Sequence, residues 1–354
     1  MGQTSVTRPV RILVVHHTLH HAAASGRSGG SAFLDPDVTV DGLGSSLPYS
    51  IAFGLTRLAI GDEYGSLGLQ REVEALRVGH RLAPSAGASV HFMSAEHDAK
   101  YLPVLAHRLG WYTSAWFHKP PDRIAKMLAR RRSLLKLDRA WAISNSQVPV
   151  LESHFGSDRV AVAPHGVDTE RFCPATSEVR ERRVLFLGAH LRDFAQLRRI
   201  YRALARRDPG IDLRVVVPGH SRELVQGVPG EVMSGISDDA LLDELRRAGV
   251  VFLPLLDATA NVSLLEAMAT GCPVVTTDVG GVREYAGDAA EVLPPGDDAA
   301  TIEAIVRMLD DPAHAQAMSE KARRRSLQYS WAAVAAPFAW AGDVGGGDEA
   351  EEPS

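Results

Sequence analysis

Asn261–Glu284 reads NVSLLEAMATGCPVVTTDVGGVRE, and this stretch decides the fold class. Leu264, Leu265, Met268 and Ala269 recur at helical spacing. Gly271 follows the last periodic residue, where a left-handed helix cap needs no Cβ. Pro273 cannot continue the helix. Pro273 to Thr277, PVVTT, is a β-branched run of the length of one buried parallel strand. Gly280-Gly281 then opens a second helix, whose first N–H groups and positive dipole end would suit a phosphate. The segment is therefore expected to form a strand-end loop and a helix N-terminus shaped for a diphosphate.

Outward from this stretch, strands alternate with helices. Strands are expected at 184–188 (VLFLG), 211–217 and 249–254 (GVVFLP), with helices at 192–206, 240–247, 297–310 and 313–328. Ser237 is placed to cap the helix at 240. Trp331–Trp340 is expected to be a terminal helix. Upstream, strands are expected at 11–15 (RILVV), 89–93, 111–117 and 139–144, and helices at 50–60, 67–78, 99–109 and 122–138. This alternation predicts parallel, doubly wound sheets. Pro164-His165-Gly166-Val167-Asp168 is a Pro/Gly break of the kind that links two sheets.

The totals agree with that organisation. The length of 354 residues favours two domains. Hydrophobic residues at 45% and charged residues at 23% are ordinary for a soluble globular protein. No apolar run reaches ~18 residues, so no transmembrane span is expected, and MGQTSVTRPVRILVV lacks a signal-peptide core and cleavage signal. Cys173 and Cys272 are in no metal-ligand spacing, so a reduced cytoplasm is the expected compartment. Residues 1–165 hold 18 Lys+Arg against 13 Asp+Glu and 11 of the 14 histidines. A basic first half suits an anionic acceptor or membrane; the acidic tail DEAEE accounts equally for the asymmetry. The helix at 122–138 carries Arg123, Lys126, Arg130, Arg131, Arg132 and Lys136 beside an apolar side, which makes residues 122–137 a candidate for peripheral membrane contact at the inner face. Nothing suggests a nucleic-acid partner.

LLEAMATGCPVVTTDVGGVREY resembles the nucleotide-sugar-binding segment of the family-4-type retaining glycosyltransferases, the glycosyl transferases group 1. The resemblance covers roughly residues 141–340 and includes the Ser144-Asn145-Ser146 strand end, PHGVD and Phe172-Cys173-Pro174. It implies the GT-B fold: two facing Rossmann-like domains, residues 1–168 on the acceptor side and 169–328 on the nucleotide-sugar side. Residues 329–341 would pack back on domain one, and 342–354 would be a disordered acidic tail. It implies transfer of a sugar from a UDP- or GDP-sugar to a glycan, lipid or small-molecule acceptor, with retention of configuration. The alternatives are a GT-B sugar-nucleotide epimerase and a non-catalytic sugar-nucleotide-binding subunit.

The resemblance also points to site residues. Gly29 and Gly30 match the Gly-Gly pair after the first strand, and His118 the histidine that faces the donor sugar. Histidines 16, 17, 20 and 21 precede the glycines, but no carboxylate or cysteine completes a metal spacing. No DxD stands at a strand end, and Asp297-Asp298 reads as a helix cap, so diphosphate neutralisation by cations and backbone, without metal or cofactor, is expected. The family's G-R-L arginine and following lysine are missing after Gly188; Arg192 and His190 are the nearest substitutes. Glu266 matches the ribose-binding glutamate, a carboxylate that accepts from a diol. The other motif glutamate falls on Ala258, with Asp257 one residue away. Either Asp257 takes its role, or backbone groups of Ala260–Ser263 suffice, or the protein is inactive. The candidate set is thus His118 and Asp257 as catalytic residues, with Gly29, Gly30, His190, Arg192, Asn261, Val262, Ser263 and Glu266 binding the donor.

Overall fold

A computed structural model of the chain describes residues 9–15, 34–41, 65–83, 87–175, 180–336, 338 and 340. Gly29, Gly30, the histidines at 16–21, the helix expected at 50–60 and the tail from 342 lie outside the described residues.

The first sheet contains β1 (Val10–Val14), β2 (Val38–Val40), β3 (Ala88–Phe92), β4 (Tyr112–Phe117), β5 (Arg139–Ala142) and β6 (Val160–Val162). Its order is β2-β1-β3-β4-β5-β6, all parallel. The second contains β7 (Arg183–Leu187), β8 (Asp212–Val217), β9 (Glu231–Ser234), β10 (Val250–Leu253), β11 (Val274–Thr277) and β12 (Glu291–Leu293). Its order, β12-β11-β10-β7-β8-β9, is again parallel and reverses direction between β7 and β10. Ligands bind beyond the strands' carboxyl ends at such switch points. β3, β7, β10 and β11 are buried along their whole length, as strands covered on both faces must be.

The helices of the first domain are α1 (Gly65–Leu82), α2 (Ala95–Asp98), α3 (Leu102–Arg108), α4 (Pro121–Arg130) and α5 (Val148–Phe155). The helix expected at 99–109 is α3, which starts three residues later than expected, after the separate short helix α2. Glu72, buried on α1, accepts from the N–H groups of Lys100, Tyr101 and Leu102, and Pro103 then starts a new helix. The helix expected at 122–138 breaks. α4 ends at Arg130, Arg131 leaves the helical region, and a 3₁₀ turn covers Arg132–Lys136. Arg131 is buried and its guanidinium donates to the main-chain carbonyl of Glu96 at 2.6 Å, so it does not belong to a basic surface face.

The second domain contributes α6 (Phe194–Arg207), α7 (Asp238–Arg247), α8 (Val262–Ala269), α9 (Val282–Ala286), α10 (Asp298–Asp310) and α11 (Pro312–Leu327). Asp193, Ser237, Asn261, Asp297 and Asp311 each cap the following helix through a side-chain oxygen. Gly271 adopts φ +67°, the left-handed stop after α8. Asp298 pairs with Arg199, so Asp297-Asp298 is a helix start tied to a neighbouring helix.

The terminal helix α12 (Trp331–Ala335) is shorter than expected, but it does cross to the first domain. Trp331, Val334 and Trp340 are buried with Leu13, Val15, Trp116, Trp141 and Ile143. Trp340 donates from Nε1 to the carbonyl of Leu34 at 2.7 Å. Gly166 makes this crossing possible: a Cβ there would stand 2.5 Å from the Trp331 indole.

Candidate functional site

The two sheets present their carboxyl ends to one cleft of about 740 Å³, within the ~300–1,000 Å³ range of small-molecule sites. Val15, Ser94, His118, Ile143 and His165 line it from the first domain. Gly188, Arg192, Pro218, Gly235, Asp257 and Glu266 line it from the second.

Arg192 dominates the second wall. It is only 7% exposed. Its guanidinium donates from Nε to Leu187 O at 3.0 Å, from Nη1 to His190 O at 3.3 Å and from Nη2 to Ser263 Oγ at 3.0 Å. Gly188 allows this placement, because a Cβ there would lie 2.8 Å from Nη2. Leu191, at φ +55°, turns the chain so that the arginine folds back over the strand end. Burial lowers the Arg192 pKa to about 10, against an upward pull from Glu266. Among the described residues no carboxylate is hydrogen-bonded to this guanidinium, and a buried charge without a counter-charge bonded to it is costly.

The N-terminus of α8 converges on the same point. Asn261 Oδ1 accepts from Leu264 N–H at 3.1 Å, which leaves the first-turn N–H groups of Val262 and Ser263 outside the cap. Asn261, Val262, Ser263 and Glu266 all line the cleft, and Glu266 is 4% exposed on α8's inner face. Asp257 also lines it, but its Oδ1 accepts from Ala258 N–H at 2.8 Å. Ala258 is a buried methyl. His190 is an exposed side chain at the cleft edge.

The structure redirects the expectation for Gly280-Gly281. Neither residue lines the cleft. Gly281 donates to Ala258 O at 2.8 Å, and a Cβ at Gly281 would meet Thr259 O at 2.2 Å and Ser144 Oγ at 2.9 Å. The glycines are there to let the turn seat against its neighbours. Glu284, one turn on, accepts from Ser144 Oγ at 2.8 Å, Asn145 N–H at 2.9 Å and Asn145 Nδ2 at 2.9 Å. The hydroxyl of Tyr285 bridges Ile143 O and His165 N–H. The segment expected to cradle phosphate therefore docks one domain on the other.

On the first wall, His118 stands at the end of β4 as expected, with its ring centroid 6.1 Å from that of His165. Lys119 and Arg123 put two cations on this side. Sequence reasoning missed three residues here. Glu96 sits in an unremarkable buried run, His165 was visible inside PHGVD but read only as a linker, and Trp331 arrives from the far end of the chain. Among the described residues, no three His, Cys, Asp or Glu side chains group as metal ligands, and no helix is long and apolar enough to cross a membrane.

Residues 181–311 match the glycosyl transferases group 1 family. The second domain thus carries a glycosyl transferases group 1 match. The chain is 27% identical over 239 residues to an MMP alpha-(1->4)-mannosyltransferase of Mycolicibacterium hassiacum, covering 62% of this chain and 58% of that one. It is 31% identical over 225 residues to a D-inositol 3-phosphate glycosyltransferase of Pseudarthrobacter chlorophenolicus, covering 56% and 54%. The chain thus matches less than two thirds of the length of these relatives. The fold is that of an alpha,alpha-trehalose-phosphate synthase (UDP-forming) from Burkholderia vietnamiensis, with TM-score 0.68, 14% identity and coverage of 93% and 98%. It is also that of the N-terminal domain of the Candida albicans trehalose-6-phosphate phosphatase, with TM-score 0.70, 13% identity and coverage of 96% and 97%. Two facing Rossmann-like domains of this kind are the GT-B fold.

Proposed function

We propose that the chain transfers a sugar from a nucleoside diphosphate sugar to an acceptor hydroxyl, with retention of configuration and without a metal ion. One observation carries this reading: the buried Arg192 guanidinium, Ser263 Oγ and the α8 N-terminus converge on the cleft wall that also bears Glu266. In that reading the diphosphate lies against Arg192 and the first-turn N–H groups of α8. These stabilise the charge that grows on the leaving diphosphate, with little reorganisation because Arg192 is already tied to three oxygens. Glu266 accepts from the ribose hydroxyls. His118 faces the sugar from the first domain, and the acceptor enters beside Lys119 and Arg123. Retention and the UDP- or GDP-sugar class rest on the resemblance of the 261–284 segment. Metal independence rests on the cationic and backbone groups available for neutralisation.

A second reading, donor binding without transfer, draws on Ala258, a buried methyl where the resemblance expects a glutamate. A thermal-shift panel of UDP-, GDP-, ADP- and dTDP-sugars tests what both readings share. One nucleotide class raising Tm in wild type and losing that effect in Arg192→Met supports the site. No shift with any member overturns it.

A further inference from the structure

Glu96 is nearly sealed from solvent, at 1% exposure, yet it is fully occupied. Its Oε1 accepts from the main-chain N–H groups of His118 at 2.8 Å and Lys119 at 3.0 Å. Its Oε2 accepts from Ser94 Oγ at 3.0 Å and lies 3.7 Å from His118 Nδ1. That ring nitrogen is buried and makes no hydrogen bond within the described residues. Burial raises the Glu96 pKa, but the His118 ring and the main-chain N–H groups outweigh it and bring it down to about 2, so the carboxylate is ionised. From the opposite side, Gln147 Nε2 donates to Phe117 O at 2.7 Å and to Lys119 O at 2.8 Å. The Arg131 guanidinium holds the main chain of Glu96 itself. The peptide that carries His118 is thus gripped on both edges, and a charge stands behind the ring.

We propose that Glu96 is the positioning residue of the site: Oε1 fixes the main chain at 118–119, and Oε2 keeps the imidazole proton on Nδ1, so that Nε2 faces the cleft as a hydrogen-bond acceptor. The proton carried by one imidazole nitrogen is set by what the other nitrogen meets, and a carboxylate at Nδ1 selects the Nδ1–H form. Nε2 then accepts from a sugar hydroxyl in the cleft. This rests on the reading of His118 as the residue that faces the donor sugar.

The test is a two-bond ¹H–¹⁵N correlation spectrum of ¹⁵N-histidine-labelled protein at about pH 8.5, above the ordinary histidine pKa of ~6.5, with the His118 signal assigned from His118→Gln. Wild type is expected to show His118 protonated on Nδ1. An Nε2–H pattern in the folded wild type overturns the proposal, whatever the variants do. Glu96→Gln keeps a carbonyl oxygen for the main-chain N–H groups but removes the charge, and is expected to lose the pure Nδ1–H pattern. With the donor identified by the thermal-shift panel, its turnover should fall about 10- to 100-fold while donor Kd stays within threefold. Glu96→Gln combined with His118→Gln should be no slower than His118→Gln alone. A Glu96→Gln protein with the wild-type tautomer and wild-type turnover, or losses that multiply in the double variant, overturns the proposal. If the tautomer responds as expected but His118→Gln leaves turnover unchanged, the reading of His118 fails and the link between the two residues stands.

Discussion

Replacing Arg192 by methionine should weaken nucleoside diphosphate binding by about 10- to 100-fold and leave the protein folded. Three of the guanidinium's five N–H donors are committed to Leu187 O, His190 O and Ser263 Oγ, which leaves two for a phosphate. A hydrogen bond to a charged group contributes about 1.5–3 kcal/mol, and each ~1.4 kcal/mol is tenfold in affinity. At the low end, about 1.5 kcal/mol per bond, losing one bond gives the lower figure and losing both gives the upper. Folding is affected less. Methionine fills irregular apolar space, and exchanging a buried charge for an apolar side chain is often close to neutral. The Leu187 and Ser263 oxygens left without their donor cost ~1 kcal/mol each. Arg192→Lys should recover only part of the affinity, because an ammonium cannot span the same acceptors as a planar fork. Isothermal titration of UDP and GDP into the three proteins measures this. An Arg192→Met protein that binds the preferred nucleotide within twofold of wild type would show that Arg192 only braces the strand end, and the phosphate assignment would fall.

Asp257→Asn should lower kcat and kcat/KM together with donor Kd little changed, if the carboxylate stabilises charge developing at the anomeric carbon; near-wild-type turnover would leave Asp257 as the cap of Ala258 N–H alone. Glu284→Ala removes three hydrogen bonds to Ser144 and Asn145, so the urea midpoint should fall by the equivalent of ~1–3 kcal/mol; an unchanged midpoint means the interdomain dock carries no weight. Burial, with a smaller push from His118, lowers the His91 pKa from 6.5 to about 3. The unfolded chain therefore binds the extra proton between these values, and stability is lost as pH falls below 6.5, by at most ~1.4 kcal/mol per unit. His91→Gln should flatten the Tm–pH curve between pH 6.5 and 5; an unchanged slope there would show that His91 takes no part.

The second domain was legible because local signals agreed with one another. Ser237, Gly271 and Pro273 mark a helix cap, a left-handed stop and a strand start, and the structure uses each in that way. The first domain was read less well where tertiary contacts overrode helical periodicity. Arg131 breaks a helix because its guanidinium reaches the carbonyl of Glu96, and Glu72 delays the start of another by taking three main-chain N–H groups. Nothing in the local spacing announces either contact. The same holds in the site. α8 could be found from the helix pattern and Arg192 from the resemblance, whereas Glu96 and Trp331 act across 22 and 165 residues, on His118 and Gly166 respectively. Gly280-Gly281 misled because a glycine pair before a helix serves phosphate binding and close backbone packing equally well; only the approach to Ala258 O and Thr259 O decides between them.

The measurement closest to the central claim is release of nucleoside diphosphate from the donor that stabilises the protein most, followed by ion-exchange chromatography in excess EDTA, with and without a pool of sugar, polyol and lipid acceptors. Wild type should release the nucleoside diphosphate in EDTA, faster when the right acceptor is present, and Arg192→Met should release at least tenfold less. A donor that binds tightly but stays intact with every acceptor, with or without added Mg²⁺ or Mn²⁺, would contradict the account and leave a sugar-nucleotide-binding protein. Turnover that EDTA abolishes and Mg²⁺ or Mn²⁺ restores would contradict the metal-free neutralisation assigned to Arg192 and α8.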